Sequence, residues 1–260
     1  MPLTFRYGDA ASQVGDLYVP AGAERMPVVC LLHGGFWRLP YGREEMAPIA
    51  ADLAARGYAV WNIEYRRIGE AGGGWPGTLE DVAAAIDHLA VLAERETRLD
   101  LGRVAVVGHS AGGHLALCTG ARDGNVRRFR PARVVPLAVC GLAAVTDLQE
   151  AFMLDSGNGA ASALLGGSPE SQPERYAQAS PRHRLPLGVR QLILHGSEDD
   201  AVPPRLSRDY VKAARGAGDS VDYIELPGMG HMEYLHAGSR VHSQLCNWLG
   251  VILGDRTPGS

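Results

Sequence analysis

The stretch GHSAGG at residues 108–113 places a serine among glycines, between two apolar runs. The run before it, RVAVV at 103–107, is almost entirely apolar and β-branched, as expected for a strand buried on both faces. The run after it, HLALCTGA at 114–121, suits a short buried helix. The sequence therefore predicts that Ser110 lies in a tight turn from a strand into a helix.

The spacing G-x-S-x-G around this serine is the sequence form of the nucleophile elbow, a sharp turn that presents a hydroxyl. Side chains at Gly108 and Gly112 would collide across such a bend. An ordinary strand–helix turn that contains serine by chance has the same pattern. The rest of the chain must therefore supply the partners that a serine nucleophile needs.

The bulk composition limits the classes of protein to consider. A chain of 260 residues with 46% hydrophobic residues can bury the core of one α/β domain or of two small ones. A net charge of −4 gives no reason to expect nucleic acid or an acidic membrane surface as a partner.

The cysteines and the N-terminus bear on the compartment. The four cysteines are far apart and lie in apolar runs, which favours buried thiols over disulfides: Cys30, Cys118, Cys140 and Cys246. No basic segment followed by an apolar stretch opens the chain, and no run approaches the ~18–20 apolar residues that span a bilayer. We expect a cytoplasmic protein with no membrane partner.

Strand-like runs alternate with helical patterns along the chain, which predicts a mostly parallel eight-stranded sheet with helices on both faces. The strand candidates are 3–7, 15–19, 27–32, 58–65, 103–108, 133–139, 190–195 and 220–226. The first two have no helix between them, so we expect an antiparallel edge there. Helical patterns cover 78–96, with Thr78 as the N-cap, and 232–253.

Residues 141–188 break this alternation because they are rich in Gly, Ser and Pro and too long for a plain loop. They form either a disordered insertion or a small helical cap over the site. Five apolar residues favour the cap: Phe152, Met153, Leu154, Leu164 and Leu165. We therefore expect one domain over 1–260, with 141–188 as a cap insertion.

A serine hydroxyl becomes a nucleophile when an imidazole removes its proton and a carboxylate holds that imidazole in the right tautomer. The acid should follow a later parallel strand, and three acids follow the strand at 190–195: Glu198, Asp199 and Asp200. A solvated loop in which one acid caps the next helix is the alternative interpretation.

The base should come later in the chain than the acid. Of the three later histidines, His236 and His242 fall within a helical pattern. His231 alone lies in a glycine-rich loop directly after a strand, so it is the candidate base. A histidine in such a loop can also be an ordinary surface residue.

Backbone N–H donors for a developing oxyanion are predicted in HGGFW at 33–37, which follows another strand. By position the donors are the N–H groups of Gly35 and Phe36, joined by that of Ala111 after the serine. His33 is expected to brace this loop. A glycine-rich turn explains the glycines alone, but not their occurrence with the other elements.

These pieces together resemble the α/β-hydrolase superfamily over nearly the whole chain. The segments HGGFWR, NIEYRRIGE (62–70), WPGTLEDVAAAIDHL (75–89) and GHSAGGHLAL (108–117) resemble its esterase branch. The similar enzymes are the hormone-sensitive-lipase-like, acetyl-xylan/feruloyl-esterase-like and kynurenine formamidase enzymes. The HGGxW form favours the formamidase and xylan-esterase side. The pattern G-x-x-D-x-x-V-P of such enzymes selects Asp199, with Asp200 second.

The resemblance implies a serine hydrolase that cleaves a small or aryl carboxylic ester through an acyl-enzyme. Alternatives are an arylformamidase that hydrolyses an N-formyl amide and a non-catalytic ligand-binding homologue. Candidate substrate contacts are Trp37, His109 and Phe152; Trp37 is equally expected as a core residue under the loop. No cofactor or metal is expected, the substrate is a small molecule, and a homodimer is possible.

Overall fold

One sheet organises the chain. The computed structural model describes residues 1–22, 25–120 and 132–254. The strands are β1 Leu3–Arg6, β2 Val14–Tyr18, β3 Met26–Leu32, β4 Ala59–Ile63, β5 Leu99–His109, β6 Ala138–Leu142, β7 Arg190–Gly196 and β8 Val221–Leu226. Their order in the sheet is β1-β2-β4-β3-β5-β6-β7-β8. β1 and β2 pair antiparallel, and β2 runs antiparallel to β4, whereas the other pairs are parallel. The predicted fold class and its antiparallel edge are confirmed.

Helices cover both faces of this sheet. They are α1 Ala47–Ala55, α2 Gly77–Asp87, α3 Leu89–Arg95, α4 Ala111–Gly120, α5 Leu148–Met153, α6 Ala160–Leu165, α7 Pro173–Ala179, α8 Pro204–Gly216 and α9 Arg240–Leu253. Alternate residues of each strand point to opposite faces, so β3 contributes Val28 to one apolar cluster and Val29 to the other. α1 and α9 pack on the Val29 side, while α2, α3, α4 and α8 pack on the other.

Three predicted elements differ in the structure. The strand expected at 133–139 begins only at Ala138, because Pro136 has no N–H for a ladder and the adjacent Val135 and Leu137 are exposed. The long helix at 232–253 is a short 3-10 turn followed by α9, which starts at Arg240 after the capping hydroxyl of Ser239.

The prediction that Thr78 is the N-cap is wrong. The pattern at 78–96 forms two helices, α2 and α3, with His88 between them, and α2 begins at Gly77 after Pro76. The Thr78 side chain lies inside the first turn. Its hydroxyl donates to the carbonyl of Arg66 and accepts from the amide of Gly74. It therefore ties the helix start to the preceding loop.

The segment at 141–188 contains the end of β6 and the three short helices α5, α6 and α7. Leu164 and Leu165 are buried in the same apolar cluster as the sheet, and Phe152 packs against it. Met153 and Leu154 are exposed instead. The role of this segment as a cap over the site stays a prediction.

The turn at Ser110 depends on close backbone approach. A methyl group on Gly108 would overlap the carbonyl oxygen of Gly112, and one on Gly112 would overlap the carbonyl oxygens of Leu32 and His33. α4 is thereby held directly against the end of β3. The collision that the sequence predicted is confirmed, although Ala121, the last residue of the predicted helix, lies outside the described residues.

The cysteines form no disulfide within the described residues, and three of them are buried. Among residues 1–22, 25–120 and 132–254, no helix combines the length and apolar character that crossing a bilayer requires.

We expect Gly112→Ala to lower the free energy of unfolding by about 3 kcal/mol or more, because the new methyl group meets backbone that cannot rotate away. Gly250→Ala is the matched control. Gly250 lies within α9 with open space where a Cβ would go, so this change should raise stability by about 0.5–1 kcal/mol. Urea unfolding of the two variants tests both signs. Equal stability of both would contradict the close approach.

Candidate active site

Four loops that carry the predicted site residues meet at one edge of the sheet. They follow the carboxyl ends of β3, β5, β7 and β8, which are parallel, so the loops leave the sheet on the same side. Ser110 follows β5 and immediately precedes α4. Its φ of 56° lies in the left-handed region, which non-glycine residues rarely adopt. Its amide donates to the carbonyl of Leu142 at 2.8 Å, which fixes the turn against β6.

Asp199 and His231 are in direct contact. The Nδ1 atom of His231 lies 2.8 Å from Oδ2 of Asp199. A carboxylate oxygen accepts hydrogen bonds, so Nδ1 carries the hydrogen and donates it. Nε2 of His231 is then the nitrogen with a free lone pair. The pair has the tautomer that a general base for a hydroxyl requires.

The Asp199 carboxylate is almost fully enclosed by donors. Its Oδ1 accepts hydrogen bonds from the amides of Ala201 at 3.0 Å and Val202 at 2.8 Å. Its Oδ2 also lies 3.2 Å from Nε2 of His195. Burial alone would raise the pKa of Asp199, but the hydrogen bonds from His195, His231 and Val202 hold this pKa well below its usual range. Asp199 is therefore ionised, and the neighbouring Asp200 is exposed.

His109, the residue before Ser110, holds the loop of His231. Its Nε2 donates to the backbone carbonyl of His231 at 2.9 Å, and the two rings lie 4.7 Å apart. Burial, together with the nearby His231, lowers the pKa of His109 to about 3, so the ring is neutral. Only 3% of its surface is exposed. The prediction that His109 contacts substrate stays a prediction, but the contact that the structure provides is with the His231 loop.

His109 links the turn that carries Ser110 to the loop that carries His231. Within the described residues, no direct hydrogen bond joins the Ser110 hydroxyl to the imidazole of His231. Catalytic hydrogen bonds are often long before substrate is bound and tighten in the substrate complex. His109 thus connects an oriented pair of an ionised acid and a histidine to the strained turn of Ser110.

The loop after β3 adopts an unusual backbone. Gly35, Phe36 and Trp37 have φ values of 89°, 53° and 57°, three successive residues in the left-handed region. Gly34 lies directly against Ser110, because a methyl group there would come within 3.2 Å of the Ser110 Cβ. The three left-handed residues form a tight turn, which the Arg38 amide closes by donating to the Gly35 carbonyl at 2.9 Å. Ala111, the first residue of α4, has an N–H group without an intrahelical partner.

A buried ion-pair network braces this loop, and the sequence did not identify its central residue, Glu64. His33 makes hydrogen bonds through Nε2 to Oε1 of Glu64 at 2.7 Å and through Nδ1 to the carbonyl of Gly34 at 2.9 Å. The ring of Tyr65 stacks on His33 at 4.3 Å, and its hydroxyl donates to the His33 carbonyl. The predicted bracing role of His33 is confirmed. A charged residue at the end of the apolar run of β4 was the available signal for Glu64.

Glu64 is ionised despite its burial. Burial alone would raise the pKa of Glu64, but the hydrogen bonds from His33 and the Tyr65 amide and the nearby Arg67 charge lower it. The amide of Arg43 also donates to the second carboxylate oxygen. One carboxylate thus joins the loop after β3 to the loops before α1 and after β4.

The segment at 141–188 contacts the same loop. The Arg38 guanidinium donates to the carbonyls of Gly157 at 3.0 Å and Asn158 at 3.1 Å, and the Phe36 ring packs on Gly157. Trp37 lies beneath the loop with 2% of its surface exposed, so the structure favours the core position for it. The ring of Phe152 is half-buried and stands edge-on to Tyr176; its contact with substrate stays a prediction.

The sheet order, the serine turn and the placement of the acid and histidine define an α/β-hydrolase of the esterase branch. This confirms the resemblance that the sequence indicated. Residues 15–213 match the BD-FAE family model, and the chain belongs to that family.

Known proteins agree with this class. "Esterase LipC" from Mycobacterium tuberculosis is 28% identical over 90% of this chain, which spans 60% of LipC. A truncated carbohydrate esterase from gut microbiota has a TM-score of 0.84 at 21% identity, covering 97% of both chains. A butyrate-bound esterase from Thermogutta terrifontis has a TM-score of 0.78 at 20% identity, covering 100% of this chain and 96% of that one.

The buried position of Glu64 leads to a stability prediction. We expect Glu64→Gln to lower the free energy of unfolding by about 3 kcal/mol at neutral pH, because it removes a buried charge from its partners. Since the pKa of Glu64 is lower in the folded protein, its stabilisation is present above the ordinary value of 4.5 and is lost as the pH falls below that value. The difference between wild type and variant should therefore shrink in acid.

Glu44→Gln is the matched control for this substitution. The Glu44 side chain is 76% exposed and lies 3.5 Å from Arg43, so its loss should change stability by less than about 0.5 kcal/mol. Urea unfolding of both variants at pH 7 and at pH 4 makes the comparison. A pH-independent loss at Glu64 would contradict the assigned ionisation.

Proposed function

We propose that this protein is a serine hydrolase that cleaves a small or aryl carboxylic ester through an acyl-enzyme. Ser110 is the nucleophile, His231 the general base and Asp199 the acid that orients it. The observation that carries the proposal is the 2.8 Å hydrogen bond from His231 to Asp199 in a loop that His109 fastens beside Ser110.

The reaction follows from the tautomer of His231. Nε2 takes the proton of the Ser110 hydroxyl while Oγ forms a bond to the ester carbon, and the carbonyl π electrons move to the oxygen. The C–O bond to the alcohol then breaks, and the departing oxygen takes the proton from Nε2. Water repeats both steps on the acyl-enzyme, which releases the carboxylic acid and restores the serine.

The oxyanion of each tetrahedral intermediate is proposed to accept hydrogen bonds from the N–H groups of Gly35, Phe36 and Ala111. The three left-handed residues after β3 and the contact of Gly34 with Ser110 support this assignment. Such donors are fixed before the reaction, so they stabilise the developing charge without reorganisation. Each is worth about 3 kcal/mol of barrier.

Ester hydrolysis is the chemistry that the relatives' names support. LipC is named an esterase, and the rice relative is named a probable isoprenylcysteine α-carbonyl methylesterase. This chain spans 60% and 57% of those two proteins, so their activity is carried over as a proposal. The burial of Trp37 provides no aromatic wall that would favour an arylformamide, and we therefore propose the ester as substrate class.

The proposed nucleophile is tested by Ser110→Ala, and the proposed acid by comparing substitutions at two neighbouring aspartates. Ser110→Ala should lower kcat for p-nitrophenyl acetate by about 10⁴-fold or more, and Asp199→Asn by about 10⁴-fold, because the wrong tautomer of His231 is then held. Asp200→Asn removes an exposed carboxylate one residue away and should leave kcat within about twofold. Circular dichroism checks that the three variants are folded. Activity in purified Ser110→Ala, or equal losses at the two aspartates, would refute the triad.

Substrate class is tested by comparing p-nitrophenyl esters of increasing acyl length with N-formylkynurenine. We expect kcat/KM for the best ester to exceed that for the formamide at least about tenfold. The reverse order would replace the esterase with an arylformamidase on the same residues. A fluorophosphonate probe should label wild type but not Ser110→Ala; no labelling of wild type would instead indicate a non-catalytic binding protein.

A further inference from the structure

A second histidine, His195, also contacts the acid. It is the sixth residue of β7 and is completely buried. Its Nε2 lies 2.8 Å from the carbonyl of Val202 and 3.2 Å from Oδ2 of Asp199, and its Nδ1 lies 2.6 Å from the hydroxyl of Ser207 in α8. The carbonyl and the carboxylate are both acceptors, so Nε2 carries a hydrogen. The shorter contact of this N–H is its hydrogen bond to the Val202 carbonyl, and Oδ2 of Asp199 is its second, longer contact.

We propose that His195 is a positioning residue: an imidazole, held by Ser207, whose Nε2–H is shared between the Val202 carbonyl and Oδ2 of Asp199 and which fixes the Asp199 carboxylate against His231. The inference rests on the proposed function. It assigns to Ser207 the donor role toward Nδ1. Together they form a chain of four side chains, in which Ser207 donates to His195, and both His195 and His231 donate to Asp199.

The donors around Asp199 explain why a second histidine matters. A carboxylate has about four acceptor sites, and here two backbone amides take Oδ1 while His231 and His195 share Oδ2. Without His195, Oδ2 would be held only by the histidine that it must orient. With His195, the position of Oδ2 is set by a residue of β7, and it stays the same when His231 gains or loses a proton.

The contact between His195 and Asp199 also affects the negative charge on Oδ2 of Asp199. A donor to Oδ2 withdraws negative charge from the atom that faces His231, which limits how strongly the carboxylate stabilises the imidazolium form. Loss of this donor leaves more charge on Oδ2, so imidazolium persists to higher pH. Since the free base is the active form, the acid limb of the kcat/KM profile then moves to higher pH.

The other titratable groups near these four side chains are unchanged in the test. His109 faces His231. Tyr234 and Glu233 lie in the loop after His231, and Glu225 is opposite His195 in the register of β7 with β8. All four are kept in every variant below. A moved acid limb therefore reports the change at His195 or Ser207.

Methionine and glutamine have nearly the same shape, and only glutamine supplies an N–H donor where Nε2 stands. His195→Met should lower kcat for p-nitrophenyl acetate about 10- to 100-fold with KM changed less than about threefold, and should move the acid limb up by about half a pH unit or more. His195→Gln should stay within about fivefold of wild type, with a smaller shift. His88→Met, a histidine-to-methionine change away from the site, should alter neither quantity.

Two results would overturn the proposal. One is wild-type kinetics and an unmoved acid limb in His195→Met; the other is equal loss in the Met and Gln variants with an unmoved acid limb, which indicates packing alone. If His195→Met does not fold, Ser207→Ala is the deciding variant. An acid limb of the kcat/KM profile that moves to higher pH supports the proposal, and an unmoved acid limb overturns it. Failure of the proposed function is separate, because it appears as activity in Ser110→Ala whatever the His195 variants do.

Discussion

The backbone contact between α4 and β3 is the constraint on which the site depends. Gly112 places the first turn of α4 against the carbonyls at the end of β3, so the chain must reverse within the few residues around Ser110. The left-handed φ of Ser110 is the strain of that reversal, and the packing of the completely buried helix α4 against the sheet compensates for it. The same contact holds the loop after β3 beside the serine. The hydroxyl and the proposed oxyanion donors are therefore placed by one feature of the backbone.

Buried charges support the two sides of this turn in similar ways. On one side Glu64 connects His33 to the loops before α1 and after β4, and on the other Asp199 connects His231 to β7 and to the loop before α8. Both carboxylates have a pKa below the ordinary value because hydrogen-bond donors outweigh the effect of burial. An ionised carboxylate with several donors resists rotation, so the loops that donate to it are held in fixed orientations. Rigidity at the site thus comes from electrostatics where the loops lack regular hydrogen bonding.

The sequence predicted the features that depend on local pattern. Apolar runs predicted the strands and the parallel sheet, and spacing alone placed Ser110 at a turn. It failed where the outcome depends on partners distant in the chain. Thr78 had the residue type of an N-cap, but the carbonyl of Arg66 takes its hydroxyl. Glu64 and His195 end apolar strands and resemble ordinary strand ends until the fold brings His33 and Asp199 to them.

Backbone and side chains contribute differently to the candidate site. The backbone sets the conformation of Ser110, the proposed oxyanion loop and half of the donors to Asp199, so substitutions at exposed positions leave the reaction geometry unchanged. The segment at 141–188 contacts the loop after β3 through Arg38 and Phe36. The Arg38 hydrogen bonds end on the backbone carbonyls of Gly157 and Asn158, whereas the Phe36 ring leaves no room for a side chain at Gly157.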